Sequence, residues 1–302
     1  MALLVVGSVA FDALESPYGK VHRAVGGAAT YFAVAASFFT PVNLVGIVGD
    51  DFTEVDAQIF RGRTINLDGL ERAPGKTFFW AGRYSQNLNE RVTLATELNV
   101  FAEFKPRLPE TYRGSEYVFL ANIAPDLQRD VLHQVKRKPK LAAMDTMNYW
   151  IERTNAELRE TLKRVDILMI NDSETRELSN EHNLLRAAKH IFKMGPGILV
   201  VKRGEYGAMM VDKRGVFSVP AFPLEEPHDP TGAGDSFAGG FMGYLAGSKS
   251  TSDASLRRAM VYGSVLGSFA VEKFGLDRLR HLKRNEIHAR ARHFAKLTQF
   301  QL

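Results

Sequence analysis

Short apolar runs recur along the chain, and a helical or turn-rich stretch follows most of them. LLVVGS at 3–8, VNLVGIVG at 42–49, YVFLAN at 117–122, KLAAMD at 140–145, DILMIN at 166–171 and ILVVKR at 198–203 are short and bounded by turn residues, which predicts buried strands. Between them lie helical patterns: Gly26–Phe39 behind a Gly-Gly turn, a helix from Pro125, and a capping box Thr154-x-x-Glu157 opening a helix to about Arg164. Ser173 is placed to cap the next helix. AMMVD and VFSVPAF flank Lys213–Gly215 as a hairpin, and two longer helices follow, Gly232 to about Ala246 and Ser252 to about Lys273, with Gly275 as the closing C′ residue of the second.

Strands alternating with helices predict an α/β fold with a central, mostly parallel sheet covered by helices on both faces. Ligands in such folds bind beyond the C-terminal ends of the strands. Asp12, Asn122, Asp145, Asn171 with Glu174, and Lys202, Arg203 and Gly204 all follow predicted strands and are candidates on that ground. Residues 72–99 break the pattern, because they alternate and are rich in aromatics, Thr and Asn. With residues 13–24 they are expected to form a small antiparallel β lid over the cleft of a single domain spanning 1–302. A lid of this kind would keep water from a reactive phosphate.

Composition narrows the classes. At 302 residues, 45% apolar and 24% charged, the chain can bury a large core without staples. It has no cysteine, which removes disulfides, thiolate metal sites and cysteine nucleophiles. The N-terminus lacks a basic n-region and reads as a first strand rather than a signal peptide, and no run approaches a membrane span; a cytoplasmic protein is the expectation. Segment 277–296 holds seven Lys/Arg and two acids, which equals the whole net charge of +5. Leu279, Leu282, Ile287, Ala291 and Phe294 give it one apolar face, so it reads as a solvated helix docked on the body rather than a nucleic-acid or membrane surface. Its three histidines lack a carboxylate at ligand spacing, which argues against a metal site.

The sharpest chemical feature is HDPTGAGDSFAGGFMGYLA at 228–246. Gly232 and Gly234 allow a tight turn at the start of a helix, where unpaired N–H groups and the positive end of the dipole suit a phosphoryl group in transfer. Asp235, in the first turn, can take a proton from an attacking hydroxyl. Gly239, Gly240 and Gly243 cost about 1 kcal/mol each relative to Ala in a helix, which makes sense if the helix packs closely on a neighbour.

DPTGAGDSFAGGF, together with VGSVAFD at 6–12, GGAATYFAVAASFF at 26–39, NDSE at 171–174 and KRGEYGA at 202–208, resembles the ordered motifs of the ribokinase-like (PfkB) carbohydrate kinases over nearly the whole chain. The resemblance implies an ATP- and Mg²⁺-dependent kinase acting on an alcohol group of a small-molecule sugar or nucleoside. It implies Asp235 as base and the N–H groups of Gly232, Ala233 and Gly234 as anion hole. Asn171 and Glu174 would position Mg²⁺, through water or directly, while Lys202, Arg203, Gly204 and Thr231 would lie on the nucleotide side. Asp229 and Thr231 are candidates for a monovalent-cation (K⁺) site, as in some relatives. Asp12, Gly26 and Gly27 would meet the substrate, with Asn122 and Asp145 lining the cleft. Lids of this kind often pair between subunits, so a homodimer through the lid is expected.

Two positions depart from a ribose pocket. Tyr31 stands where ribose-binding members often carry Asn, and Ala10 where ribokinases have Asn. Tyr31, Phe78, Phe79, Trp80 and Tyr84 form an aromatic set that could stack on a base, which adds weight to a nucleoside acceptor beside a sugar; the same set also reads as a lid core or a dimer contact. Arg83, Asn87, Asn89 and Arg91 on the same segment keep a phosphosugar open as the alternative. There is no G-x-x-x-x-G-K-[ST], and no G-x-G-x-x-G follows the first strand, which argues against a P-loop kinase or a Rossmann dehydrogenase. A non-catalytic regulator of the same fold would be expected to lose the base or the anion hole, and both are present.

Overall fold

The computed structural model describes residues 2–299. Strands β1 (Leu3–Val6), β2 (Ala10–Ser16), β3 (Gly19–Gly26), β4 (Val42–Val48), β5 (Ile65–Arg72), β6 (Phe78–Tyr84), β7 (Arg91–Glu97), β8 (Tyr117–Leu120), β9 (Leu141–Met144), β10 (Ile167–Asn171), β11 (Ile198–Lys202), β12 (Ala208–Asp212) and β13 (Gly215–Val219) form two sheets. The larger has nine strands in the order β13-β12-β11-β10-β9-β8-β1-β4-β5. Its pairs from β5 to β11 are parallel, and β12 and β13 complete one edge as an antiparallel hairpin. The smaller sheet has the order β3-β2-β6-β7, with β2 and β6 parallel at its centre.

Helices α1 (Ala28–Ala36), α2 (Glu54–Ala57), α3 (Pro125–Gln134), α4 (Asn148–Arg153), α5 (Asn155–Leu162), α6 (Asp172–Ser179), α7 (Leu184–Phe192), α8 (Ala233–Ser248), α9 (Asp253–Ala270), α10 (Asp277–His281) and α11 (Arg284–Thr298) fill the connections. Two cores follow from strand alternation. Leu3 and Val5 of β1 point into a core shared with α1, α8, α9, α10 and α11. Leu4 and Val6 point into the opposite core, where Val131, Ile151, Leu158, Leu178 and Ile191 arrive from α3–α7. The basic C-terminal segment docks as its pattern predicts, with Leu279, Leu282, Ile287 and Phe294 buried. No described helix is long and apolar enough to cross a membrane.

Several local expectations are corrected. Residues 154–157 form no capping box; the Thr154 hydroxyl instead donates back to the Trp150 carbonyl, tying α5 to the end of α4. Asn171, not Ser173, caps α6: its side chain accepts from the Glu174 N–H at 2.7 Å, and Glu174 accepts from the Asn171 N–H at 2.8 Å. Gly275 does not close α9, which ends at Ala270; its N–H donates to Asp229. Gly26 ends β3 rather than opening a helix. Strand β5 was not anticipated, because its sequence INLDGLER is half exposed and carries Asn66, Asp68, Glu71 and Arg72 on both faces.

The site is held in place mainly by the packing of α8. A Cβ at Gly239 would fall 2.4 Å from the Phe32 carbonyl of α1, and one at Gly240 would fall 2.7 Å from the Tyr262 carbonyl of α9. The glycine-rich stripe thus lets three helix backbones approach more closely than side chains would permit. Gly239→Val is therefore expected to lower the unfolding free energy by at least about 1–3 kcal/mol, the cost of overpacking, read from the midpoint of urea denaturation.

Candidate active site

Five acids and one lysine converge at the C-terminal ends of the central strands and the start of α8. Lys202, the last residue of β11, sits beside Asn171 in register across the β10–β11 pair. Its ammonium donates to Asp145 Oδ2 at 2.7 Å, and Asp145 itself is 6% exposed. A Cβ on Gly234 would lie 3.2 Å from Lys202 Nζ, so the lysine packs directly against the glycine turn. Burial pulls the Lys202 ammonium down, but Asp145, Glu174 and Asp235 outweigh this and hold it above its ordinary value. Asp235 is pushed up to about 7 by burial and the Asp145 charge, against the opposing pull of Lys202 and Arg91. Glu174 is likewise pushed up to about 7 by burial and Asp145.

The turn itself has a defined donor set. Gly232 takes a left-handed conformation (φ 71°) as the N-cap of α8. A Cβ there would also strike the Tyr31 ring at 2.3 Å, so glycine is required twice over. The Ala233 N–H is engaged by the Pro230 carbonyl at 3.2 Å, whereas the N–H groups of Gly232 and Gly234 have no partner among the described residues. Of the three N–H groups expected to form an anion hole, that of Ala233 is therefore already engaged by the tight turn.

Tyr31 is only 1% exposed, wedged from α1 beneath Gly232. Its hydroxyl is buried without a hydrogen bond of normal geometry, and burial and the Asp12 charge push it well above its usual value. It has no free face for a ligand, and the expectation that it meets the substrate is corrected to a buttress under the turn. Asp12 lies in β2, at the strand's bulge, and is 4% exposed. Burial and the charges of Asp229 and Asp235 push it up to about 7. Gly26 faces it so closely that a Cβ would overlap its carboxylate, while Gly27 (φ 91°) crosses the Ser8 carbonyl. Asp229 is 1% exposed and receives the N–H groups of Thr231 at 2.9 Å and Gly275 at 2.8 Å, so it pins the turn to the chain beyond α9. Among the described residues no group of three or more His, Asp or Glu side chains is arranged to hold a metal ion.

Contacts not foreseen complete the site. The Tyr84 hydroxyl, at the end of β6, hydrogen-bonds Thr231 Oγ1 at 2.9 Å, and Asn89 donates to Glu205 at 2.7 Å. The second sheet therefore touches both the catalytic turn and the Gly204–Tyr206 turn after β11, where Arg203 and Gly204 lie. Asn122 is spent on α4: it accepts from Trp150 Nε1 at 2.9 Å and donates to Met147 Sδ at 3.0 Å. Trp150 carries no motif of its own; only its position after a strand-ending acid marked it. Trp80 pairs in register with Asp12, so both side chains project from one face of the second sheet, and Arg91 lies over its indole at 5.1 Å.

A model of the pfkB family of carbohydrate kinases matches residues 2–281. The chain belongs to this family. It is 31% identical to a cytidine kinase of Thermococcus kodakarensis over 253 residues, covering 81% of this chain and 89% of that protein. It is 27% identical to a ribokinase of Lactococcus lactis over 286 residues, covering 90% and 91%. The fold superposes on a Burkholderia thailandensis nucleoside kinase solved with inosine, with a TM-score of 0.77, 19% identity and full coverage of both chains. A ribokinase II candidate from E. coli solved with ATP and Mg²⁺ gives 0.81 at 19% identity, covering 97% of this chain and 99% of that one. The protein is thus a sugar or nucleoside kinase of the pfkB family with the ribokinase-like fold.

Burial of Asp12 has a measurable consequence. Its folded value near 7 lies above the 3.8 of a free carboxyl, so the folded state holds a proton that the unfolded chain releases. This contribution to stability is present below about pH 4 and is lost as pH rises through about 7. Asp12→Asn removes the titration, so the melting temperature of the variant relative to wild type is expected to climb between those limits. A difference independent of pH would contradict the buried carboxyl.

Proposed function

We propose that this chain is an ATP-dependent nucleoside kinase that phosphorylates a hydroxymethyl group of the sugar, with Asp235 as the general base. The observation that carries the reading is the juxtaposition at the start of α8: a carboxylate held near 7, two unpartnered N–H groups and the Lys202 ammonium against the same turn. A base with its pKa close to the working pH combines a large ionised fraction with enough basicity to accept the hydroxyl proton. In this reading the substrate oxygen forms a bond to the γ-phosphorus as its proton passes to Asp235. The bond from that phosphorus to the bridging oxygen breaks, and ADP leaves. The Gly232 and Gly234 N–H groups face the charge that develops on the transferring group, aided by the dipole of α8.

The residues fit Mg²⁺ and a triphosphate. Asp145, Glu174 and Asp235 crowd enough negative charge into a buried space to raise Glu174 and Asp235, and an added cation relieves that repulsion. Asn171 and Glu174 are assigned to hold the ion, through water where their capping bonds persist. Bound Mg²⁺ supplies neutralisation of the phosphate oxygens. Asp12 is assigned to the sugar hydroxyls. Trp80, half-buried on the same face, is assigned as the wall for the base, a role that Tyr31 cannot fill from beneath the turn. The nucleoside assignment is further supported by the similarity to a cytidine kinase over most of both chains.

Purified protein with Mg²⁺ and ATP is expected to phosphorylate cytidine or another nucleoside faster than free ribose, hexoses or sugar phosphates in a coupled ADP-release assay. A phosphosugar turned over preferentially would overturn the acceptor assignment. Asp235→Asn is expected to lose at least about a hundredfold in kcat while still binding nucleotide. In wild type, kcat/KM should fall below about pH 7 as Asp235 takes up its proton. Trp80→Ala should weaken nucleoside binding by about 1–3 kcal/mol, seen as a raised KM with kcat little changed.

A further inference from the structure

A cavity of about 670 Å³ opens at the C-terminal end of α1, away from the Gly232 turn. It is walled by the C-terminal end of α1 (Ser37, Phe38), by the chain leading into the N-terminal end of β5, and by the α10–α11 junction. Parallel strands place their N-terminal ends opposite the catalytic edge, and α1 separates the two ends by nine residues, roughly 14 Å at 1.5 Å per residue.

The charge in this cavity is one-sided. Arg61, Arg63, Arg280, His281 and Arg284 line it, and no carboxylate does. Arg61 is paired with Glu54 at 3.0 Å, and His281 lies 3.8 Å from Asp277. Among the described residues Arg63, Arg280 and Arg284 form no ion pair. Arg63 is occupied structurally: it donates to the carbonyls of Leu279 at 2.7 Å and Arg280 at 3.2 Å, which caps α10 and removes two negative ends from the wall. Arg280 reaches only Gln58, at 3.4 Å, and Arg284 is the first residue of α11, whose fifteen-residue dipole adds positive potential at the same rim. Two other arginines of the basic C-terminal segment are spent in ion pairs, Arg278 with Glu272 and Glu286, and Arg290 with Glu272. The unspent cations of that segment thus include two that meet at this cavity.

We propose that this cavity is a binding site for a small organic phosphate, of nucleotide size, distinct from the catalytic cleft. Guanidinium groups pair with phosphate oxygens through a fixed two-donor fork, which is why arginine rather than lysine suits such a site. The volume lies within the roughly 300–1,000 Å³ of small-molecule pockets, and Phe38 and Leu282 supply an apolar wall for the organic part. Both helices at the cavity also lead back to the catalytic turn. The first turns of α1 carry Tyr31 under Gly232, and α10 follows Gly275, whose N–H is held by Asp229. Occupancy at one end is thereby connected to the seating of the turn at the other.

Hydrogen exchange with the full-length protein tests this directly, with inorganic pyrophosphate and cytidine monophosphate as separate probes. The nucleotide is expected to protect residues 58–64 and 279–285, and pyrophosphate to do so more weakly. In the double variant Arg280→Ala, Arg284→Ala, both at exposed positions, that protection should vanish and calorimetric affinity should fall at least about tenfold. Protection of 229–235 by an ATP analogue should persist in the variant, which separates this site from the cleft. Arg284→Glu alone should give the same loss. The proposal is overturned if neither probe protects the two segments, if protection survives in both variants, or if only a single-stranded RNA oligonucleotide produces it.

Discussion

The catalytic end of the molecule depends on one buried ammonium. Lys202 is the cation against which Asp145, Glu174 and Asp235 can be gathered; its direct bond to Asp145 sets the position of the group, and its contact with Gly234 sets the height of the turn above it. Carboxylates crowded in a dry space repel one another and shed charge by taking protons. Lys202 offsets part of that repulsion, and the remainder appears as the raised values of Glu174 and Asp235. The site therefore gathers three carboxylates around one ammonium, of which Asp145 alone bonds it directly.

The geometry of the turn is a product of helix packing. Because α8 approaches α1 and α9 through glycines, its first residues are held by backbone contacts on two sides, and Tyr31 fills the space beneath Gly232. Asp229 adds a third anchor by receiving two N–H groups from separate parts of the chain. Donors fixed in this way need little reorganisation when charge develops in front of them, which is the condition under which hydrogen bonds contribute most to catalysis.

Much of this was legible from residue order alone. Eight of the nine strands of the main sheet, the long C-terminal helices and the docked basic segment follow from period, turn residues and burial, which are local properties. The Gly-x-Gly-Asp turn at the start of α8 was legible for the same reason, since its glycines and its acid lie within four residues. What escaped was set by approach between distant segments. Tyr31 looked like a ligand contact because nothing in its neighbourhood shows that the Gly232 turn will cover it. Asn122 looked free because its partners, Met147 and Trp150, lie in a helix reached only after the next strand. Strand β5 was missed because an exposed edge strand keeps polar residues on both faces, so alternation does not mark it. Glu174 was read as a metal residue from resemblance, and its reciprocal bond with Asn171 shows that the same pair also builds the end of a helix.

Two of the side-chain hydrogen bonds that fasten the second sheet to the body are Tyr84 to Thr231 and Asn89 to Glu205, and Ser16 to the His228 carbonyl and Arg23 to Asp56 add to them. Each such bond is worth about 0.5–1.5 kcal/mol net, so releasing the first two costs only about 1–3 kcal/mol. A cost of that size, taken for these two bonds alone, leaves both broken in roughly one molecule in six to one in a hundred and sixty. The tyrosine and asparagine thus tie the second sheet to the Thr231 and Gly204–Tyr206 turns without locking it there.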